Sequence, residues 1–258
     1  MAGTPRRRSV VFVAFTGEET GRLGSRHFME QPGRVAAQQP LAMINLDTVG
    51  RLGDRPLIVF GTGSATEWTP ILHGAGYVTG VPLTEVADDI GSSDQTSFIA
   101  AGVPAVQLFS GVHADYHRPG DTADKIDAAG LVKTARVARE MVDYLAERPE
   151  PLTATTGGTA PTAAAAGSER QRRISLGTVP DYAWRGDGVR LEGVRAGTPA
   201  AQAGLQAGDI ITRLNGRAVT GLQDYSRILR ELNPGAEVSI RLRRDGREQQ
   251  LGARVEAR

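Results

Sequence analysis

The sequence predicts an α/β domain followed by a small β-rich domain, and three observations carry that prediction. Over the first 147 residues, short apolar runs alternate with helical patterns, and two of the runs end in acids. From Arg148 to Arg173 the composition turns to Pro, Thr, Ala and Gly with hardly a large apolar side chain. Beyond it, alternating strand patterns return with Asn215-Gly216 and Asp245-Gly246 as turn signals. The expected division is 1–147, a flexible linker at 148–173, and 174–258. As a free coil, ~25 linker residues would span roughly 25–30 Å.

Composition narrows the function. The chain has 258 residues, 40% of them hydrophobic, so a sizeable core can form. A formal net charge of +1 argues against a dedicated nucleic-acid or anionic-membrane surface. With 0 Cys, any metal must be held by carboxylates and by the 4 His. No stretch is long enough to span a membrane. Arg6 to Arg8 followed by Ser9 to Phe15 imitates a secretory signal, but Glu18 and Glu19 follow at once.

That apolar run, Val10 to Phe15, reads as a strand buried on both faces, leading through Thr16 and Gly17 to Glu18 and Glu19. Two adjacent acids beyond a strand end can divide two tasks, one binding a metal and one moving a proton. They could equally just favour the start of the following helix. Arg26 to Glu30 is a short helix, and Leu41 to Asp47 a second strand closed by an acid. Leu57 to Phe60 is a third strand, Ala65 to Ala75 a helix, and Val81 to Val86 a further strand. Ser93 and Asp94 suit the N-cap of a helix at Gln95 to Ala101. Val103 to Phe109 is a strand that empties into Gly111 to Asp124, a loop holding His113, Asp115, Tyr116, His117 and Asp121. A His beside Tyr and Asp suits a metal ligand with orienting neighbours. Asp127 can cap the helix Leu131 to Leu145, whose apolar residues recur at three- and four-residue spacing.

In the second domain Gly188 to Val194 alternates as a strand, and Thr198 to Gly204 is a short helix ended by Gly. Asp209 to Leu214 is a strand and Leu222 to Leu232 an amphipathic helix. Glu237 to Leu242 and Gln249 to Val255 form a hairpin.

Four segments stand in the order of a known family: Thr16 to Glu19 with Gly21 to Ser25; Asn45 to Arg51; Ser93-Asp94; and Tyr116 to Ile126. Together they resemble the co-catalytic zinc aminopeptidases of leucyl-aminopeptidase-like, bacterial type, over residues 9–147. The resemblance implies an incomplete three-layer mixed sheet flanked by helices, of zinc exopeptidase type. It implies Glu18 as general base, Glu19 and His117 as ligands of one zinc, and Asp47 as a ligand of the second. Asp94, Asp115, Tyr116 and Asp121 would then lie just behind the ligands.

The family also places a His and a metal-bridging Asp before the Glu-Glu strand, and neither has a counterpart here. Gln95 stands where the family commonly has His. Partial or absent zinc and little or no peptidase activity are therefore expected of this chain alone. The alternative is a non-catalytic peptide-binding protein with a degenerate peptidase fold. Residues 174–258 resemble a PDZ domain, which implies Ser175, Leu176 and Gly177 as a carboxylate-binding loop for a peptide C-terminus. Family members are mostly exported, so a periplasmic or extracellular setting is implied.

Overall fold

The computed structural model describes residues 6–30, 40–91, 93–155 and 174–257. They form two compact units, 1–113 with 120–167 and 114–119 with 168–258.

The first unit is built on a mixed four-stranded sheet. Its strands are β1 (Met43–Leu46), β2 (Leu57–Phe60), β3 (Leu83–Val86) and β4 (Ala105–Phe109), in the order β1-β4-β2-β3. β1 runs parallel to β4 and β2 parallel to β3, while β2 and β4 are antiparallel. All five β4 residues are buried, as expected of a central strand covered on both faces. Alternation along β4 divides the core. Val106 and Leu108 join Leu57, Val59 and Met43's neighbour Ile44 under α2 (Trp68–Thr79) and α4 (Ala128–Glu147), through Trp68, Leu72, Val137 and Met141. Ala105 turns the other way, toward Phe98 of α3 (Gln95–Ala100) and Phe28 of α1 (Leu23–Glu30). The result is three layers, helices–sheet–helices.

Asp127 caps α4 as the sequence indicated, its carboxylate accepting from the Gly130 amide at 2.9 Å and the Gly53 amide at 2.8 Å. Those donors hold its carboxyl below the ordinary Asp range.

Two expectations change. The run Val10 to Phe15 is not a buried strand: no described strand pairs with it, and Val11, Phe12 and Val13 are 54, 80 and 45% exposed. Its pattern encodes burial, but burial needs a hydrogen-bonding neighbour. The segment is tied instead to the end of α4, where the Arg8 amide donates to the Ala146 carbonyl at 3.1 Å. Only Phe15 turns inward, packing edge-on against Phe28 with ring centroids 5.6 Å apart.

The stretch expected to be linker from Arg148 is held in place through Thr155. Ala154 bridges Ala65, and the Glu67 carboxylate accepts from the Thr153 amide and hydroxyl at 2.9 Å each. Composition correctly marked a stretch poor in apolar groups; a single buried Leu152 and a carboxylate clasp anchor it nonetheless. Residues 156–173 lie outside the described residues.

The second unit is a six-stranded sheet with a short pair beside it. The order is β11 (Arg247–Arg254), β10 (Glu237–Arg244), β8 (Ile210–Leu214), β7 (Val189–Val194), β6 (Thr178–Pro180), with β9 (Arg217–Ala218) on β8. β12 (Glu256–Ala257) pairs with β5 (Ile174–Ser175). α5 (Pro199–Gln202) and α6 (Leu222–Arg230) complete it, with Tyr225, Ile228 and Leu229 of α6 in the core.

Ser64 gives a sharp test of the first core. Its buried hydroxyl donates to the Ala105 carbonyl at 2.9 Å and accepts from the Trp68 indole at 2.9 Å and the Ala105 amide at 3.1 Å. Ser64→Ala is expected to destabilise by about 1–3 kcal/mol for each buried group left unsatisfied. Urea unfolding should show a lower midpoint at unchanged slope; a shift under about 0.5 kcal/mol, within the noise of surface changes, would contradict this account.

Candidate functional site

The Glu18-Glu19 turn is held by backbone. The Gly21 and Arg22 amides donate to the Glu18 carbonyl at 3.0 and 2.8 Å, and the Leu23 and Gly24 amides to Gly17 and Thr16 at 3.0 and 2.9 Å. Gly17 at φ 67° and Gly21 at φ 96° supply the left-handed backbone this turn requires. Gly24 is required for a different reason. A Cβ there would lie 2.6 Å from the Thr16 carbonyl oxygen.

Asp47 follows β1 directly, its amide donating to the Leu108 carbonyl at 3.4 Å. The next residue, Thr48, has φ 52°, an outlier for a β-branched side chain. Ser110 holds it there: its amide and hydroxyl both donate to the Thr48 carbonyl, at 3.0 and 2.6 Å. Strain of this kind costs roughly 1–3 kcal/mol and persists where surroundings over-determine it.

Asp94 begins α3, but its side chain makes no capping hydrogen bond. It is 7% exposed, and its Oδ1 is buried without a hydrogen-bond partner among the described residues. Asn45 fixes this corner, its amide group donating to Ser93 Oγ at 2.8 Å and Gln95 Oε1 at 3.1 Å.

The carboxylates feel one another. Glu18 is pushed up to about 7, by burial first and then by the charges of Glu19, Asp47 and Asp94, with Arg22 opposing. Asp94 is also raised, by burial, with Ser25 and Arg22 pulling it back and Asp47 adding to the rise. Arg22 is 7% exposed and sits at φ 57°. Sequence reasoning passed over it, since an arginine in a Gly-rich turn carries no periodic signal.

Asp121 accepts from Arg51 at 2.7 Å and lies 3.6 Å from His113 Nε2. It therefore ties the neck of the His-rich loop to the residues after β1, a role with no signal in the sequence. Asp115, Tyr116 and His117 belong to the 114–119 stretch that groups with the second unit. His117 has φ 56° and stacks on Tyr116 with centroids 4.0 Å apart.

The structure thus places Glu18 in the field of Glu19, Asp47 and Asp94, and Asp94 in that of Asp47. Among the described residues, no group of three or more His, Cys, Asp or Glu stands at metal-holding spacing. The acids fit a divalent cation in chemistry, as like charges drawn close together with a buried Asp94 oxygen that has no hydrogen-bond partner among the described residues. Among the described residues a complete donor set is not gathered around one point.

Residues 1–142 match the model of Peptidase family M28, more than half of the chain. The chain belongs to this family. Residues 190–244 match a PDZ domain, so the M28 unit is followed by a PDZ unit. A curated relative from Arthroderma otae, "Probable leucine aminopeptidase", is 28% identical over 142 residues, 53% of this chain and 39% of its own length. A "Probable periplasmic serine endoprotease DegP-like" from Marinomonas sp. is 42% identical over 60 residues, 23% of this chain and 13% of the relative. A solved zinc aminopeptidase from Bacillus subtilis is 24% identical over 53% of this chain and 36% of its own, with a TM-score of 0.47. The chain spans less than half the length of each of these relatives. No described helix is long and apolar enough to cross a membrane.

Gly24→Ala is expected to cost about 1–3 kcal/mol, because Thr16 backbone must move and the acid turn with it. Gly74→Ala is the control. It meets nothing within 4 Å in the middle of α2 and should be stabilising by about 0.5–1 kcal/mol. Thermal midpoints shifting in opposite directions would bear this out; equal shifts would not.

Proposed function

We propose that the M28 unit is a zinc-dependent aminopeptidase module, a hydrolase that releases N-terminal residues from peptides. The carrying observation is the convergence of carboxylates from three separate stretches, Glu18-Glu19, Asp47 and Asp94. In this reading Glu19 and His117 would hold one zinc and Asp47 the other, and Asp94, with its unpaired oxygen, stands beside Asp47. Bound zinc would polarise the scissile carbonyl and lower the pKa of water. Glu18 is the group that would take a proton from the attacking water and deliver it to the leaving amine, a task suited to a carboxyl poised near neutrality. Arg22 limits the repulsion among the acids, and Asp121 holds the neck of the loop bearing Tyr116 and His117 through Arg51 and His113.

The matched donors number two for one ion and one for the other, whereas a catalytic zinc keeps three protein ligands. The isolated 258-residue chain is therefore a weak zinc binder with little peptidase activity. The PDZ unit takes a peptide C-terminus at Ser175, Leu176 and Gly177. A periplasmic or extracellular setting is favoured by PDZ relatives described as periplasmic.

Zinc stoichiometry and aminoacyl-nitroanilide turnover are to be measured on this chain and on a form extended at its N-terminus. The expected result is substoichiometric zinc and near-zero turnover for the chain, with both restored in the extended form and turnover abolished by Glu18→Gln. Turnover by the chain itself, lost with Glu18→Gln, would overturn the impairment. An extended form that binds zinc but never turns over would leave the non-catalytic, peptide-binding alternative standing.

A further inference from the structure

β6 is an edge strand of the six-stranded sheet, paired among the described residues only with β7. Antiparallel strands alternate residues that bond to the partner with residues that point away. The Arg195 amide donates to the Gly177 carbonyl at 2.9 Å and the Asp181 amide to the Arg190 carbonyl at 2.9 Å, so Gly177 and Asp181 face β7. With Val179 opposite Gly193, and the register shifting just after it, the backbone groups of Thr178 and Pro180 point away from β7, where Thr178 is half-buried and Pro180 buried. Thr178 offers that edge an N–H and a C=O. Pro180 offers a C=O alone, since proline has no N–H. Helix α6 lies along this edge, where the Tyr225 and Thr178 hydroxyls are 2.6 Å apart.

At the start of the edge, two donors already converge on one oxygen. Ser175 Oγ accepts from the Gly177 amide at 3.1 Å and from the Arg195 guanidinium at 2.9 Å. The loop is rigidly placed: the Ala200 amide donates to the Leu176 carbonyl at 2.8 Å, and Gly177 has φ +83° with Thr198 2.2 Å from where a Cβ would sit. An amide and a guanidinium meeting at one oxygen form an anion receptor, and a carboxylate is a better acceptor for both than a neutral hydroxyl.

We propose that the PDZ unit reads a free C-terminal carboxylate together with the single residue that bears it, and nothing upstream. Arg195 and the Gly177 amide take the carboxylate in place of the Ser175 hydroxyl, and Thr178 pairs with the terminal residue. Pro180 then stops the ladder, because the peptide carbonyl two residues upstream meets no donor. The partner class is any peptide or protein end with an accessible carboxylate, selected by its last residue. This rests on the peptide-binding reading of Ser175, Leu176 and Gly177.

The test is calorimetric titration of the full 258-residue chain with N-acetylated alanyl peptides of two and five residues. Each peptide ends in Val, Ser or Phe, as the free acid and as the amide. The expected outcome is equal binding of the two lengths within about threefold, with amides at least about tenfold weaker. Arg195→Ala should lose about tenfold or more for acids and nothing for amides, with Arg195→Lys between. Ser175→Ala, which removes the competing hydroxyl, should bind acids at least as tightly. Thermal melts establish that each variant is folded. A five-residue acid binding more than about tenfold tighter than the two-residue acid in the unaltered chain overturns the proposal, as does a folded Arg195→Ala with unchanged affinity. Binding of none of the acids defeats the peptide-binding reading itself, an outcome distinct from both.

Discussion

Carboxylates that repel one another are crowded beside Arg22, with Asp94 buried, Glu18 and Asp47 half-buried and Glu19 exposed, and that repulsion is the constraint the candidate site has to meet. Desolvation and like charge both favour the neutral acid, so Glu18 is pushed up to about 7. Apolar packing alone would not maintain such a cluster. It persists because the backbone turn at Gly17 to Gly24 and the Asn45 bridge to Ser93 and Gln95 leave the acids little room to separate. A divalent cation would relieve the same repulsion, which is what the proposed zinc dependence rests on.

Backbone strain accompanies the acids. Among the described residues before 174, the non-glycine residues with positive φ are Arg22, in the turn after Glu19, Thr48, next to Asp47, and His117, itself a candidate ligand. Thr48 is the clearest, being β-branched and held by two bonds from Ser110. Its conformation turns the chain immediately after Asp47, at the carboxyl end of β1. Ends of sheet strands are where open α/β folds place their chemistry.

The PDZ unit is organised by a different constraint, the accounting of backbone donors on an edge strand. An exposed edge is a template for another chain. Here Pro180, buried and without an N–H, blunts it after one outward residue, and at its start the Ser175 hydroxyl accepts from the Gly177 amide and the Arg195 guanidinium. In the proposed reading, recognition of a chain end and protection against indiscriminate strand addition would be served by the same few residues.

The apolar runs of β1, β2, β3 and β4, the cap at Asp127 and the hairpin about Asp245-Gly246 were legible in the sequence, because each depends on neighbours a few residues away. So was the family, through motifs whose order survives in the chain. The exposure of Val11 to Val13 was not, since an apolar pattern states that a strand could be buried and not whether another strand pairs with it. Nor was the course of Arg148 to Thr155, decided by Glu67 from far away in the chain. Asp94 looked like a helix cap by type and position; only the tertiary fold turned its carboxylate toward Asp47 and Glu18. Local chemistry is written in short stretches of sequence. Which charges share a dielectric, and which backbone donors are left over, depends on distances between segments that no local pattern records.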